Sequence, residues 1–259
     1  MAGGQIWARI QGRYQRGLAR GLFRRSLVMR NTRPLISFTF DDFPRSALHT
    51  GGAILKRFGM RGTYYASFGL MGQEAPTGRI FATEDLAELV AQGHELGCHT
   101  FHHCHSWDTS PARFEESIAE NQRALGRLVP GRVFQSFSYP ISCPRPGTKR
   151  RTGRHFACSR GGGQICNVET ADLNHLSAYF LEKDGGDPAA VKPMIDRTVR
   201  ERGWLILATH DVSDTPTPYG CRPGYFEDVV RYAADSGARV LPVIEALAVV
   251  RSGEAELGR

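Results

Sequence analysis

Residues 35–42 read LISFTFDD, an apolar run that ends in two adjacent carboxylates. The six residues before Asp41 have the length and composition of a buried β-strand. Similar runs follow at 62–66, 94–98, 133–139, 176–181, 205–209 and 239–243, and helix-like amphipathic stretches lie between them at 46–58, 84–92, 111–128, 188–202 and 224–236. This alternation predicts parallel strands joined by crossover helices, in a barrel or an open sheet.

Titratable or conformationally special residues follow four of these strands. They are Asp41 with Asp42, His99 with His103, Tyr139 with Pro140, and His210. Because the carboxyl ends of parallel strands meet in one crevice, we expect these side chains to lie close together. The sequence therefore predicts one active site at this end of the strands.

The spacing of His99 and His103 indicates a metal site. On a helical turn, residues four apart share a face, so both imidazoles can reach one ion. Two imidazoles and one carboxylate leave coordination positions open, which is typical of a catalytic metal. One of Asp41 and Asp42 can complete the site while the other accepts a proton, and a histidine from another strand end can supply the acid.

These residues give the chain a resemblance to the polysaccharide deacetylase family, the NodB-homology domains of carbohydrate esterase family 4. The resemblance covers roughly residues 34–250 and rests on TFDD at 39–42, GHELGCHTFHH at 93–103, FSYP at 137–140 and LATH at 207–210. It implies a distorted (β/α) barrel of about seven parallel strands. We expect a catalytic domain at 34–250, a basic N-terminal helical extension at 1–33 and a C-terminal tail at 251–259.

The resemblance also implies a metal. Asp42, His99 and His103 would be the ligands of a divalent ion, for which zinc is the first candidate. The expected activity is a metal-dependent hydrolase that acts on an N-acetylated carbohydrate. It would remove the acetyl group from an amino sugar and release acetate and a free amine.

Three further roles follow from the same resemblance. Asp41 would be the general base, and His210 would be the general acid that protonates the departing amine. The backbone N–H near Tyr139 would stabilise the oxyanion. Relatives often carry an Arg in the third motif beside the base, and residues 135–138 provide none. Arg160, on a neighbouring loop, is our candidate for this charge, and Asp172 is the candidate for the acidic residue that holds it.

Basic residues are concentrated in two segments. Residues 1–40 contain eight Arg, residues 121–168 contain nine Lys or Arg, and all 26 acidic residues lie elsewhere. The apolar residues of the first segment recur every three or four positions, at Trp7, Ile10, Tyr14, Leu18 and Leu22. This pattern predicts an amphipathic helix that either packs on the domain or lies on an anionic membrane through residues 1–30.

The second basic segment suggests an anionic substrate. Basic residues follow the Tyr139 strand end and could meet a phosphate there. They are Arg145, Lys149, Arg150, Arg151 and Arg154. Together with the basic amphipathic N-terminus and the lack of an export signal, they favour a lipid- or nucleotide-linked sugar over an extracellular polymer.

The composition, 41% hydrophobic and 23% charged, is that of an average globular protein. Residues 1–30 contain no continuous apolar stretch of the kind found in signal peptides, so we expect a cytoplasmic protein. Three alternatives remain within the fold: an O-acetyl esterase, a metal-independent C–N hydrolase, and an inactive carbohydrate-binding barrel. Nucleic-acid binding is not expected, because the chain has no basic–aromatic recognition motif.

Overall fold

The computed structural model describes residues 2–141 and 143–252, and for residues 2–9 it describes the backbone alone. The side chain of Trp7 and residues 253–259 of the expected tail lie outside the described residues. The helices are α1 (Ala2–Gly21), α2 (Ala53–Arg57), α3 (Thr83–Ala91), α4 (Pro111–Leu128), α5 (Pro146–Thr152), α6 (Pro188–Arg200), α7 (Pro223–Asp235) and α8 (Val243–Ser252). A π-helical segment, Ala47–Gly52, runs directly into α2.

Short strands alternate with these helices. They are β1 (Ser26–Val28), β2 (Leu35–Phe40), β3 (Thr63–Ala66), β4 (Glu74–Ala75), β5 (Gly78–Arg79), β6 (Glu95–Cys98), β7 (Ser136–Ser138), β8 (Cys158–Arg160), β9 (Thr170–Asp172), β10 (Tyr179–Phe180), β11 (Trp204–Thr209) and β12 (Arg239–Val240). The main sheet has the order β10-β11-β2-β3-β6-β7-β8, with β12 beside β2, and every pair in it is parallel. This half-barrel confirms the predicted (β/α) architecture of about seven parallel strands.

The central strands separate two apolar cores. All six residues of β2 and of β11 are buried, as expected for parallel strands covered on both faces. Along β11, Leu205 and Leu207 point into one core, whereas Trp204, Ile206 and Ala208 point into the other. This two-residue period fixes which face each side chain of the strand occupies. The parallel register with β2 brings the end of β11 to the same edge as the end of β2.

Two elements near the site were not predicted. One is strand β8, which has only three residues and is too short to be recognised by a periodic pattern. The other is helix α5, which is formed by residues of the basic stretch that the sequence suggested would face a phosphate. Arg151 of this helix contacts Glu115, and Arg150 lies over the ring of Phe23 at 5.6 Å. The phosphate role assigned to this stretch is therefore not supported by its surroundings.

A buried ammonium group holds α1 on the half-barrel. Lys149 is fully buried, and its Nζ donates to the carbonyl oxygens of Ala19 at 2.6 Å and Leu22 at 2.7 Å. Its third bond goes to Asp172 Oδ2 at 2.6 Å. All three ammonium donors are thus used, and two carbonyls at the C-terminal end of α1 are satisfied. None of the described helices has the length and apolarity needed to cross a membrane.

Candidate active site

The carboxyl ends of the strands open into a cavity of about 910 Å³. Its lining includes all the titratable strand-end residues singled out from the sequence: Asp41, Asp42, His99, His103, Tyr139 and His210. The parallel sheet brings them together from four strands that are distant in the chain. The arrangement at their centre decides what this cavity can bind.

Asp42, His99 and His103 place three metal-ligating atoms within 4.8 Å of one another. Asp42 Oδ1 lies 3.1 Å from His103 Nε2 and 3.5 Å from His99 Nε2. The other carboxylate oxygen, Oδ2, accepts a hydrogen bond of 2.9 Å from Thr77 Oγ1. Oδ1 is buried and makes no hydrogen bond of acceptable geometry within the described chain. A buried carboxylate oxygen that faces two imidazole nitrogens in this way fits a divalent cation.

The protonation of His99 suits metal binding. Its Nδ1 lies 2.8 Å from the carbonyl oxygen of Ser138, which can only accept, so Nδ1 carries the proton and Nε2 keeps its lone pair. Burial lowers the pKa of His99 to about 4, so the ring is neutral at pH 7. The ring nitrogen that faces Asp42 is therefore a ligand atom and not a hydrogen-bond donor.

The loop that carries the histidines is not helical, so the helical turn expected for this pair is wrong. Thr100 and His103 have φ values of +61° and +51°, which a right-handed helix excludes. The N–H groups of Phe101 and His102 donate to Ser117 Oγ at 3.0 and 3.1 Å instead of to a helical ladder. The left-handed backbone conformation of Thr100 and His103 costs about 1–3 kcal/mol at each residue. In this loop conformation, both imidazoles face one point.

Asp41 is 4% exposed, and Oδ1 accepts a hydrogen bond from Arg160 Nη2. Arg160 is itself 1% exposed and lies over the rings of Tyr65 at 5.0 Å and Phe180 at 5.5 Å. Burial alone would raise the pKa of Asp41, but the Arg160 guanidinium, followed by His99, lowers it below its usual range. Asp41 is therefore a carboxylate at neutral pH, as a proton acceptor must be.

Arg160 reaches Asp41 from a strand and not from a loop. It lies on β8 directly beside Ser138 of β7 in the parallel register. Ser138 belongs to the motif in which relatives often carry the Arg, so the charge comes from the neighbouring strand. The expected partner of Arg160 is wrong, because Asp172 binds Lys149 and the N–H of Arg25 instead.

Tyr139 cannot be the oxyanion donor. Its N–H donates to the carbonyl oxygen of Arg160 at 3.0 Å as part of the strand ladder, and its hydroxyl donates to Asn174 O at 3.2 Å. The next residue is Pro140, which has no N–H. Ile141 follows with a φ of +67° and lines the cavity, and its N–H forms no hydrogen bond within the described chain. Ile141 is therefore the first backbone donor available at this strand end.

His210 follows β11 and is half-buried. Its Nδ1 lies 3.1 Å from the carbonyl oxygen of Tyr219, which places the proton on Nδ1 and leaves Nε2 for other partners. Glu182 lines the same part of the cavity, and its Oε2 is buried without a hydrogen bond in the described residues. Burial raises the pKa of Glu182. Glu182 is a member of the site that the sequence did not reveal.

Other cavity residues also lack a sequence motif. They are Gln15, Arg16 and Arg20 of α1, together with His175 and Lys183. His175 is 8% exposed, its Nε2 has no hydrogen-bond partner in the described residues, and burial lowers its pKa to about 4. A pattern search cannot find these residues, because they come from segments with no strand-end signature. The basic composition and the apolar periodicity of the N-terminal segment are the signals that point to α1.

A second cluster of potential ligands lies outside the cavity, at His49, Asp85 and Glu88. Arg45 contacts both oxygens of Asp85, at 3.0 and 2.9 Å, and the N–H of Ala82 donates to Oδ2 at 2.7 Å. Asp85 therefore has its charge balanced and its oxygens occupied by protein groups. This cluster is an ion pair at the start of α3 and not a metal centre.

Comparison with known proteins places this site in a family. Residues 29–152 match the family model described as polysaccharide deacetylase. No match was found among curated proteins. Residues 29–152 include the TFDD motif, both histidines of the metal cluster and the third motif.

Solved structures share the fold over most of the chain. The chitin deacetylase of the fungus Colletotrichum lindemuthianum is 17% identical with a TM-score of 0.58, over 84% of this chain and 89% of that one. An acetyl xylan esterase from Clostridium thermocellum, in complex with a cobalt ion, is 18% identical with a TM-score of 0.54, over 83% and 91%. A mutant of a carbohydrate esterase family 4 pseudoenzyme is 13% identical with a TM-score of 0.57, over 83% and 68%. At these identities the likeness establishes the fold. Residues 29–152, with Asp41, Asp42, His99 and His103, thus belong to the polysaccharide deacetylase family, and the chain has the half-barrel of the family's solved members.

Proposed function

We propose that the protein is a metal-dependent hydrolase that removes the N-acetyl group from an amino sugar. The observation that carries this proposal is the buried Asp42 Oδ1, which faces Nε2 of His99 and of His103 beside the carboxylate of Asp41. Asp42, His99 and His103 would hold a divalent metal, which supplies polarisation of the acetyl carbonyl and a water of lowered pKa. Two imidazoles and one carboxylate suit zinc.

The residues around the cluster would move the protons. Asp41 accepts a proton from the attacking water while the water oxygen bonds to the acetyl carbon. The Ile141 N–H donates to the carbonyl oxygen as negative charge develops there. His210, once protonated, gives its proton to the sugar nitrogen as the C–N bond breaks. The products are acetate and the free amino sugar.

The retained acid favours an amide over an ester substrate. An amine is a poor leaving group unless it is protonated. The alkoxide that leaves an O-acetyl ester is a better leaving group, so its departure depends less on a general acid. His210 lines the cavity, with its Nδ1 fixed by Tyr219 and its Nε2 left for the substrate. An inactive binding barrel would have no use for Asp41, which is buried with a compensating arginine. These contacts support N-deacetylation over the alternatives.

Metal content and acetate release test the proposal together. We expect about one metal ion per chain in the parent protein, loss of the ion in Asp42→Ala and His99→Ala, and release of acetate from an N-acetylated amino-sugar oligomer by the parent alone. His155→Ala is the matched control, because it removes a histidine that contacts Glu115 outside the cavity. A parent protein that binds no metal, or variants that still bind it, would contradict the ligand assignment.

We also propose that α1 lies on an anionic membrane surface at the cytoplasmic face. Ile10 is 52% and Tyr14 63% exposed, whereas Ala19 is buried against the half-barrel, so the apolar stripe is not packed on the domain. Buried thiols without disulfides at Cys98 and Cys158 support a reducing compartment. Sedimentation with phosphatidylglycerol vesicles should be weaker for an Ile10→Ser/Tyr14→Ser variant, and equal sedimentation would contradict the proposal.

A further inference from the structure

One wall of the catalytic cavity is formed by helix α1. Gly12, Gln15, Arg16 and Arg20 line the cavity together with the strand-end residues. The spacing of Arg16 and Arg20 places them on one face of the helix. Both guanidinium groups act electrostatically on Cys143, which lines the cavity between α1 and the Tyr139 strand end. Two cations therefore border the space that a substrate would occupy.

Neither arginine is neutralised by the protein. Among the described side chains, no carboxylate forms an ion pair or a hydrogen bond with Arg16 or Arg20. The acidic residues of the cavity have other partners or positions: Asp41 binds Arg160, Glu74 lies 3.4 Å from Arg79, and Glu182 lies near His210. The positive charges of Arg16 and Arg20 are therefore available to an anionic ligand.

We propose that Arg16 and Arg20 bind a phosphate group of the substrate, next to the sugar that is deacetylated. This inference rests on the proposed function and names its substrate class, a phosphate-linked N-acetylated amino sugar. Guanidinium groups match the geometry of phosphate oxygens and form charge-assisted hydrogen bonds with them. A neutral polysaccharide offers these side chains no anionic partner.

The volume of the cavity and the anchoring of α1 agree with this assignment. Ligand cavities are roughly 300–1,000 Å³, and this one, at about 910 Å³, has room for a group attached to the acetylated sugar. Arg20 adjoins Ala19, whose carbonyl oxygen is bound by the buried Lys149. The last turn of α1 is thus held in place before a ligand arrives, which lowers the entropy lost on binding.

Binding of two matched ligands tests the inference without depending on turnover. Calorimetry on the full-length, zinc-loaded protein would compare the 1-phosphate and the methyl glycoside of N-acetylglucosamine. The parent should bind the phosphate at least about tenfold more tightly, because charged hydrogen bonds contribute more than neutral ones. An Arg16→Gln/Arg20→Gln variant should lose this preference, while Arg13→Gln/Arg24→Gln, which removes two exposed arginines that do not line the cavity, should keep it.

Three results would overturn the inference. The parent could bind the two ligands with equal affinity, it could fail to bind the phosphate measurably, or the Arg16→Gln/Arg20→Gln variant could keep the preference unchanged. An equal loss in the control variant would do the same, since it would show a general effect of the positive charge of the N-terminal segment. Acetate release from a uridine diphosphate-linked sugar and from a polyprenyl diphosphate-linked sugar in vesicles then distinguishes a nucleotide from a lipid as the source of the phosphate. A phosphate preference in binding without acetate release would support this inference and contradict the proposed reaction, whereas equal acetate release from phosphate-bearing and neutral sugars would contradict the inference alone.

Discussion

The cavity at the strand ends has two walls whose side chains are held in different ways. The motif wall consists of Asp41, Asp42, His99 and His103 at the ends of β2 and β6, and the helix wall consists of Arg16 and Arg20 of α1 with His175. In the motif wall, Asp42 is 5% and His99 1% exposed, and each has a protein partner that orients it. In the helix wall, the arginines are exposed and have no acidic partner among the described side chains. The groups proposed to move protons or hold a metal are thus oriented in advance, whereas the groups proposed to recognise a ligand are left open to it.

The strongest test of this contrast is Asp41→Asn in the motif wall. The amide keeps the shape of the carboxylate but cannot accept the proton of the attacking water, so kcat should fall by about 10²–10⁴-fold. Metal content and KM should change little, because Asp41 is not one of the three ligands. Steady-state kinetics with metal analysis measures both quantities. A variant that keeps its kcat would remove Asp41 from the role of base.

A second test asks whether the motif wall depends on Arg160. Arg160→Ser leaves Asp41 buried without its cation, which should lower the free energy of unfolding by about 3–5 kcal/mol in urea titrations. Ser138→Arg in the same chain should recover part of this loss, because residues 138 and 160 are register neighbours and Ser138 Oγ has no hydrogen bond in the described residues. No recovery in the double variant would show that the β8 position is required.

The smallest expected effect comes from His175 in the helix wall. Burial lowers the pKa of His175 from 6.5 to about 4, so between these values the unfolded chain takes up a proton that the folded chain does not. The free energy of unfolding should therefore decrease as the pH falls through this range, and His175→Gln should reduce the decrease between pH 7.5 and 5 by roughly 1–2 kcal/mol. Urea titrations at the two pH values measure this difference. If His155→Gln, at an exposed site, had the same effect, His175 would not be the residue responsible.

The two walls also differ in how far the sequence predicts them. The motif wall can be found because each side chain directly follows an apolar strand, so local sequence carries the information. The contact of Arg160 with Asp41 joins residues 119 positions apart, and the strand that supplies it has only three residues. The Tyr139 N–H is not available as an oxyanion donor because the ladder between β7 and β8 uses it, a pairing that depends on the unpredicted β8. The basic N-terminal segment was expected to be a helix, but its place over the cavity depends on the distant Lys149.

The bonding of Lys149 has a practical consequence for anyone who trims this protein. The family match begins at residue 29, which makes the preceding segment look dispensable for expression or crystallisation. Cutting there would remove the Ala19 and Leu22 carbonyl oxygens and leave the Lys149 ammonium group with Asp172 as its one remaining hydrogen-bond partner among the described residues. The fragment would also lack two arginines of the cavity wall. A shortened chain would be a protein with an altered substrate entrance and a weakened interior, so its behaviour would not represent that of the full chain.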